Sequence, residues 1–213
     1  MKRLVKLFTA ALWALGLAIA PAAYADPPSI IGRLNHLNGQ VSFAPGEAPD
    51  EWVAAQLTRP VTSGDRLWTD NNGFAEIRVG SLAVRMAPQT SMDILALDDR
   101  AIQLRVAQGN LNLRVRRLSG DRFIEVATPT GAVVIRQPGS YRISVDPQGD
   151  FVLVSVRAGG QAEVFTTDAS VFVRDNEEAE LSGGRPQLYA AAQLDEFDRW
   201  ASDRDRRLDR VAS

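Results

Sequence analysis

Four aspartates of this sequence are of the residue type that could cut a glycosidic bond. Glycan hydrolysis needs two carboxyl groups held several ångströms apart, one as the acid and one as the base or nucleophile. Each aspartate, however, lies between apolar runs in a turn context, where Asp accepts hydrogen bonds from nearby backbone N–H groups. We interpret them as turn residues and keep a carboxylate-dependent glycan hydrolase as an alternative. The four are Asp65, Asp70, Asp98 and Asp99.

The sequence lacks the residues that other hydrolytic chemistries require. It contains no cysteine and one histidine, His36, and it has no Gly-x-Ser-x-Gly motif. A catalytic triad with a histidine base therefore has little support, and a zinc site of Cys and His ligands is excluded by count. We predict that His36 is a hydrogen-bonded strand residue, that the protein is not an enzyme, and that it binds no metal or cofactor.

Arginine and tryptophan side chains could bind a polymer of the cell envelope. Guanidinium groups bind phosphate and carboxylate groups, and an exposed indole ring can stack on a sugar. We expect several arginines, Arg142 among them, to share the outer face of one sheet, although a solvated face balanced by nearby acids is the alternative interpretation. The candidate ligand-binding residues are Arg105, Arg114, Arg116, Trp52 and Trp68.

The first 25 residues have the pattern of a secretory signal peptide. Lys2, Arg3 and Lys6 precede an apolar run, and Ala23-Tyr24-Ala25 fits the small-x-small cleavage rule. The run is shorter than the roughly 20 residues that span a bilayer as a helix. We therefore predict cleavage between Ala25 and Asp26 and a periplasmic or secreted protein.

The predicted mature chain has 188 residues, which is long enough to bury one hydrophobic core. Its 21 basic residues are all arginines, and against 26 acids they give a net charge of −5. An acidic, exported chain is a poor partner for the phosphate backbone of a nucleic acid. No second long apolar stretch follows, so we predict no transmembrane segment after cleavage.

Turn signals recur about every ten residues through most of the mature chain, a spacing typical of an all-β sandwich, barrel or short solenoid. Residues 102–106 and 111–115 alternate apolar with polar side chains, so we predict an antiparallel pair joined by a turn at residues 108–110. Residues 151–154 are apolar on both faces. We predict that they form the most central strand and that Val154 is buried.

The period changes after residue 186, and residues 190–210 are predicted to form an amphipathic helix. Its apolar residues are Leu194, Phe197, Ala201 and Leu208, with Trp200 beside them. We expect the ion pairs Asp195–Arg199 and Asp203–Arg207 within the helix. Phe197 and Trp200 are candidate partner-binding residues. We predict, however, that the helix docks on its own β domain and covers an edge or an apolar patch.

Several motifs resemble the FecR family of bacterial envelope proteins. They are GDRL (64–67), GFAEIRV (73–79), VATPTGAV (126–133) and PGSYRI (138–143). The resemblance implies an all-β, FecR-like sandwich or short β-solenoid of successive hairpins with one C-terminal α-helix. The chain then divides into a signal peptide at 1–25, a FecR-like β domain at 26–182, and a linker with the amphipathic helix at 183–213.

Signalling members of the FecR family relay the state of an outer-membrane receptor to a cytoplasmic sigma factor. This sequence departs from that plan, because no cytoplasmic helical domain precedes its apolar segment, so the relay role does not carry over. The resemblance implies a non-catalytic, exported module that binds an envelope protein. Binding of an envelope polysaccharide is the alternative.

Overall fold

The computed structural model describes residues 30–118 and 120–211, so the predicted signal peptide lies outside the described residues. Within these ranges the chain forms seventeen strands and one helix. The strands are β1 Gly32–Asn38, β2 Val41–Ala44, β3 Val53–Ala54, β4 Pro60–Val61, β5 Arg66–Thr69, β6 Phe74–Val79, β7 Leu82–Met86, β8 Ser91–Leu97, β9 Ala101–Val115, β10 Phe123–Thr128, β11 Gly131–Ile135, β12 Gly139–Val145, β13 Val152–Ala158, β14 Gln161–Phe165, β15 Ser170–Arg174, β16 Glu177–Leu181 and β17 Gln187–Ala190. The helix, α1, is Glu196–Val211.

The strands form two sheets that share β9. Sheet A has the order β4-β1-β6-β7-β9-β12-β13-β16-β17. Sheet B has the order β3-β2-β5-β8-β9-β10-β11-β14-β15, and its β9–β10 pair is the parallel one. From β10 onward, hairpins alternate between sheet B and sheet A. The predicted all-β fold of successive hairpins with one C-terminal helix is confirmed.

Strand β9 crosses from one sheet to the other, and this corrects the turn predicted at residues 108–110. Its first part pairs with β8 and β10 in sheet B, and its last seven residues pair with β12 in sheet A. Gly109 allows the crossing, because it has a φ of +92° and a Cβ there would lie 2.5 Å from the Cα of Thr90. The two predicted strands are therefore one continuous strand.

Both sheets turn apolar side chains toward a single buried core. In β12, for example, Tyr141, Ile143 and Val145 point inward, and the alternate side chains point outward. Val154 of β13 is completely buried, as predicted. The central strand of sheet A is nevertheless β9, which lies two places from β13.

The PGSYRI motif fixes a corner between two hairpins. The hydroxyl of Tyr141 donates to the Gln137 carbonyl and accepts the backbone N–H of Gln161 at 3.1 Å. Gly160 has a φ of +95°, and a Cβ there would lie 2.2 Å from that hydroxyl oxygen. Burial raises the pKa of Tyr141 to about 12. Tyr141 of this motif therefore has a structural role, and so does Gly160.

Helix α1 begins at Glu196, six residues later than predicted. Asp195 caps it, since its carboxylate accepts the backbone N–H of Asp198 at 2.8 Å. Of the residues predicted as the first helical turn, Ala190 ends β17 and the others belong to the connection at 191–195, where Leu194 lies exposed before the helix. The buried apolar face of α1 therefore lacks Leu194 and is shorter than predicted. Among the described residues, no helix is long and apolar enough to cross a bilayer.

Candidate functional site

The outer face of sheet A carries a row of arginines. Arg85 on β7, Arg114 on β9, Arg142 on β12 and Arg157 on β13 occupy the outward positions of four neighbouring strands. Successive side chains of a strand point to opposite faces, so the apolar neighbours of these arginines fill the core. Arg116 follows directly after β9. We call these five residues the arginine face.

Contacts within the sheet orient two of these arginines. The Nε of Arg85 donates to the Glu76 carboxylate at 2.8 Å, and its Nη1 donates to the Oδ1 of Asn112 at 3.1 Å. Arg142 donates in the same way to the Oδ1 of Asn110 at 3.0 Å and to the hydroxyl of Ser144 at 3.2 Å. Both guanidinium planes are therefore held by neighbouring strands.

Helix α1 lies across this face and places aspartates against the arginines. Asp205 pairs with Arg85 at 2.6 Å, and Asp209 pairs with Arg116 at 2.7 Å. Asp198 bridges Arg142 and Arg157, each at 3.2 Å. Charge-assisted hydrogen bonds of this kind are among the strong ones in proteins. The predicted docking of the helix on its own domain is confirmed, but it covers a charged sheet face and not an edge.

The predicted ion pairs within the helix are wrong. Asp195 lies within 3.0 Å of Arg142 on the sheet and not beside Arg199. Asp203 pairs three residues on, with Arg206. The sheet attracts the aspartates that face it, because a buried guanidinium needs a partner more than an exposed one does.

Glu76 is the most highly connected acid of this interface. Its carboxylate accepts hydrogen bonds from Arg78 of its own strand, from Arg85 of β7 and from Arg204 of α1. Burial disfavours its charge, but the bonds from Arg204 and Arg85 outweigh burial and lower the pKa of Glu76 to about 2. Burial likewise disfavours the charge on Arg85, yet its pKa is raised because hydrogen bonds and charge interactions with Asp205 and Glu76 outweigh burial.

Aromatic rings complete the docking of α1. The ring centroid of Phe197 lies 6.3 Å from that of Phe74 and 5.8 Å from that of Trp200. The ring centroid of Trp200 lies 5.8 Å from that of His36. Ring pairs at these separations attract one another beyond the area they bury. Burial and the nearby Arg204 lower the pKa of His36. The two predicted partner-binding residues, Phe197 and Trp200, thus contact the protein's own β domain.

The other predicted binding residues lie on two different surfaces. Arg114 and Arg116 belong to the arginine face beneath α1, whereas Arg105 lies on the outer side of sheet B and pairs with Asp93 at 3.5 Å. The shared face predicted for the three is therefore wrong, because β9 passes from sheet B to sheet A between them. Trp52 is 43% exposed, and Arg66 lies over its ring at 5.4 Å. Trp68 is half-buried on β5.

Three of the four turn aspartates, Asp65, Asp70 and Asp98, accept the nearby backbone N–H groups predicted for them, whereas Asp99 pairs with Arg122 at 3.7 Å. Asp65 accepts the backbone N–H groups of Thr62 and Gly46 at 2.7 and 2.9 Å. Asp98 accepts those of Arg100 and Ala101 at 2.7 and 2.8 Å, and these bonds lower its pKa. Across residues 30–118 and 120–211, no three acidic or histidine side chains converge to hold a metal ion.

Sequence reasoning missed the centre of this site. Glu76 and Arg85 are completely buried polar residues, yet in the sequence they look like ordinary outward positions of two half-exposed strands. Their helix partners lie about 120 or more residues further along the chain. The available signal was the high proportion of charged residues in a helix with few apolar ones, because a helix that buries little apolar surface needs other contacts to dock.

Comparison with solved structures supports the fold. Two crystal structures, at 1.65 and 2.50 Å resolution, are of a protein from Parabacteroides distasonis described as a "putative anti-sigma factor". Each matches with a TM-score of 0.52 and 15% sequence identity, and each match covers 59% of this chain and 59% of that chain. No family model matches the sequence, and no curated protein matches it. The likeness shows a shared fold.

Proposed function

We propose that this chain is a non-catalytic interaction module of the bacterial cell envelope and that it binds a protein. The observation that carries the proposal is the arginine face, where side chains from four neighbouring strands hold a polypeptide segment, α1. Charged groups arranged in this way favour a partner of complementary charge and fix its orientation. A sheet that binds its own helix has the chemistry to bind other protein segments.

Two further observations support an interaction role. The fold is shared with a protein described as a "putative anti-sigma factor", and this fold-level analogy favours an interaction role. The GDRL, VATPTGAV and PGSYRI motifs resemble the FecR family, which supports the more specific assignment to a FecR-like module. The periplasmic or secreted location rests on the signal-peptide pattern of residues 1–25.

Site-specific cross-linking in cells tests the proposal. A photoreactive amino acid placed at exposed Phe172, Tyr189 or Arg199 should capture a defined envelope protein on irradiation. The captured protein, once purified, should bind the chain lacking residues 1–25 with a fixed stoichiometry in a calorimeter. Saturable binding of a purified glycan without any captured protein would contradict the proposal, and so would release of a glycan product.

Binding of an envelope polysaccharide is a second candidate, favoured by one observation. Trp52 is exposed, and Arg66 of β5 lies over its ring. Trp68 lies two residues after Arg66 on the same face of β5, so the three side chains form an aromatic and cationic surface on sheet B. Such a surface can stack on sugar rings while it pairs with their acidic substituents. Under this candidate, Trp52→Ala weakens glycan binding, whereas Trp200→Ala on the opposite surface leaves it unchanged.

A further inference from the structure

We infer that the arginine face of sheet A is a docking surface for an acidic amphipathic helix of a partner protein, and that α1 occupies this surface until the partner displaces it. The inference rests on the proposed function and adds to it the binding site and the chemical class of the partner. It is carried by the juxtaposition of five sheet arginines with the aspartates of one helix.

The arginine face is organised by the sheet and not by the helix. Arg85 is oriented by Glu76 and Asn112, and Arg142 by Asn110 and Ser144, all of which lie on neighbouring strands or on the same strand. These contacts persist when α1 leaves. A partner helix therefore meets side chains that are already oriented, which lowers the entropy cost of binding.

Helix α1 is held in place more by charge than by apolar packing. Ten of its sixteen residues are charged, and the buried apolar residues whose side chains are described are Phe197 and Ala201. The fit is also incomplete, because the buried Nε atoms of Arg114 and Arg157 have no hydrogen-bond partner among the described residues. An interface of this composition resembles a transient contact between domains more than it resembles a core.

Undocking α1 does not leave charges stranded in the interior. Breaking a buried ion pair is costly when one partner remains buried and unpaired. Here Arg85 and Glu76 are buried because α1 lies over them, since both point outward from sheet A. Water reaches both groups once the helix leaves, so the face can exist open.

The connection between β17 and α1 makes the helix a competitor for any partner. Residues 191–195 join the two elements, and residues 192–195 are exposed. The connection is anchored where Arg157 donates to the carbonyl of Ala192 at 2.6 Å. A tethered segment acts at a high effective concentration. A partner helix can bind only the molecules in which α1 is undocked. Its apparent affinity is therefore the intrinsic affinity multiplied by the fraction of undocked molecules.

The contacts of α1 define the chemistry of the partner. Asp198, Asp205 and Asp209 are spaced seven and four residues apart, which places them along one helical face. Phe197 and Trp200 lie beside that face and contact Phe74. The expected partner therefore presents a helix with an acidic stripe flanked by aromatic residues.

A peptide competition experiment tests the inference. The probe is a fluorescein-labelled peptide with the sequence of residues 194–211, and its binding to the chain lacking residues 1–25 is measured by fluorescence anisotropy. The double substitution Asp198→Asn and Asp205→Asn removes two docking charges while keeping side-chain volume. Trp200→Ala loosens α1 without altering any docking charge. Asp203→Asn is the matched control, because Asp203 is exposed and pairs within the helix.

We expect both loosened variants to bind the peptide at least about tenfold more tightly than the parent and the Asp203→Asn control. A peptide in which the four aspartates at positions 195, 198, 205 and 209 are replaced by asparagine should lose this binding. Circular dichroism checks that each variant keeps its strand signal, and because two variants loosen α1 by different chemistry, misfolding of one leaves the other to decide.

Three results would overturn the inference. Equal peptide affinity for the parent and both loosened variants would show that α1 does not compete for the face. Equal binding of the asparagine peptide would show that the arginines do not select an acidic helix. A loosened variant that forms dimers by light scattering would identify a second copy of this chain as the occupant. Capture of an envelope protein by photoreactive Phe172 or Tyr189, combined with any of these results, would leave the proposed function standing.

Discussion

The outer faces of sheets A and B carry the same kinds of ion pair in different surroundings. On sheet A, α1 buries the Glu76–Arg85 pair completely. On sheet B, Glu163 pairs with Arg136 at 2.5 Å, but the arginine side chain is 44% exposed. The two ion pairs have comparable distances between nitrogen and oxygen, but they differ in how far they are buried. The comparison isolates what the helix contributes, because the strands beneath the two pairs follow the same alternation.

Burial makes the sheet A pairs both stronger and more demanding. An exposed pair is screened by water and salt, and either partner is readily solvated when the other is removed. A buried pair interacts more strongly, but each partner has lost its hydration and depends on the other. The docking of α1 should thus respond sharply to changes on sheet A and hardly at all to changes on sheet B.

The largest contrast is expected between Glu76→Gln and Glu163→Gln. Glu76→Gln removes the charge that three arginines share, and we expect a loss of about 3 kcal/mol, at the low end for a broken buried pair because undocking of α1 lets water reach Arg85. Glu163→Gln should cost less than about 1 kcal/mol. Urea unfolding of both variants measures the difference, and equal losses would contradict the role assigned to burial.

Acid should reproduce part of the Glu76→Gln effect. The pKa of Glu76 is about 2 in the folded protein, below the ordinary value of 4.5. Its contribution to docking is therefore complete above about pH 4.5 and is lost as the pH falls toward 2. Fluorescence of Trp200 should report undocking in this window in a chain lacking residues 1–25 in which Trp52 and Trp68 are replaced by phenylalanine. In Glu76→Gln the part of the transition due to Glu76 should vanish, and an unchanged transition would assign it to other acids.

Aromatic packing gives the next contrast. Phe197 is buried against Phe74 and Trp200, and Phe197→Ala should cost about 2 kcal/mol, below the range for a core phenylalanine because the ring lies at a domain surface. Phe172 on β15 is 42% exposed, and Phe172→Ala should lie within about 0.5 kcal/mol of the parent. Thermal unfolding compares the two. A larger loss for Phe172→Ala would mean that sheet B depends on a contact at this edge.

The smallest contrast is between two aspartates that each lie close to two arginines. Asp205 lies 2.6 Å from buried Arg85 and 4.0 Å from Arg114, so Asp205→Asn should cost about 1 kcal/mol. Asp93 lies 3.3 Å from Arg66 and 3.5 Å from Arg105 on the open sheet, so Asp93→Asn should change stability by less than about 0.5 kcal/mol. Raising the salt concentration should reduce the Asp93 effect further.

Local patterns in the sequence were enough to predict the elements and the core. Alternating apolar residues and regular turn signals gave the all-β fold, the burial of Val154 and the C-terminal helix. The break at Gly109 was misinterpreted, because a glycine that bends a strand between two sheets has the same local signature as a glycine in a hairpin turn. Pairing partners, which lie on other strands, were needed to tell the two apart.

The candidate site was harder to predict, because its contacts join distant parts of the chain. Asp205 and Arg85 are 120 residues apart, so no local spacing relates them. The helix charges were predicted to pair with one another, and for exposed helices that is the usual arrangement. Which of them are buried depends on the docking orientation, and that is set by tertiary contacts such as Phe197 on Phe74.

The central claim is that α1 is a separately docked cover held by the buried charges of sheet A. Hydrogen exchange followed by mass spectrometry, on the parent and on Glu76→Gln, tests it most directly. The account predicts that Glu76→Gln speeds exchange in peptides from α1 and leaves those from β9, β12 and β13 unchanged. Equal acceleration in the helix and these strands would contradict the account, because α1 would then be an integral part of a single cooperative unit.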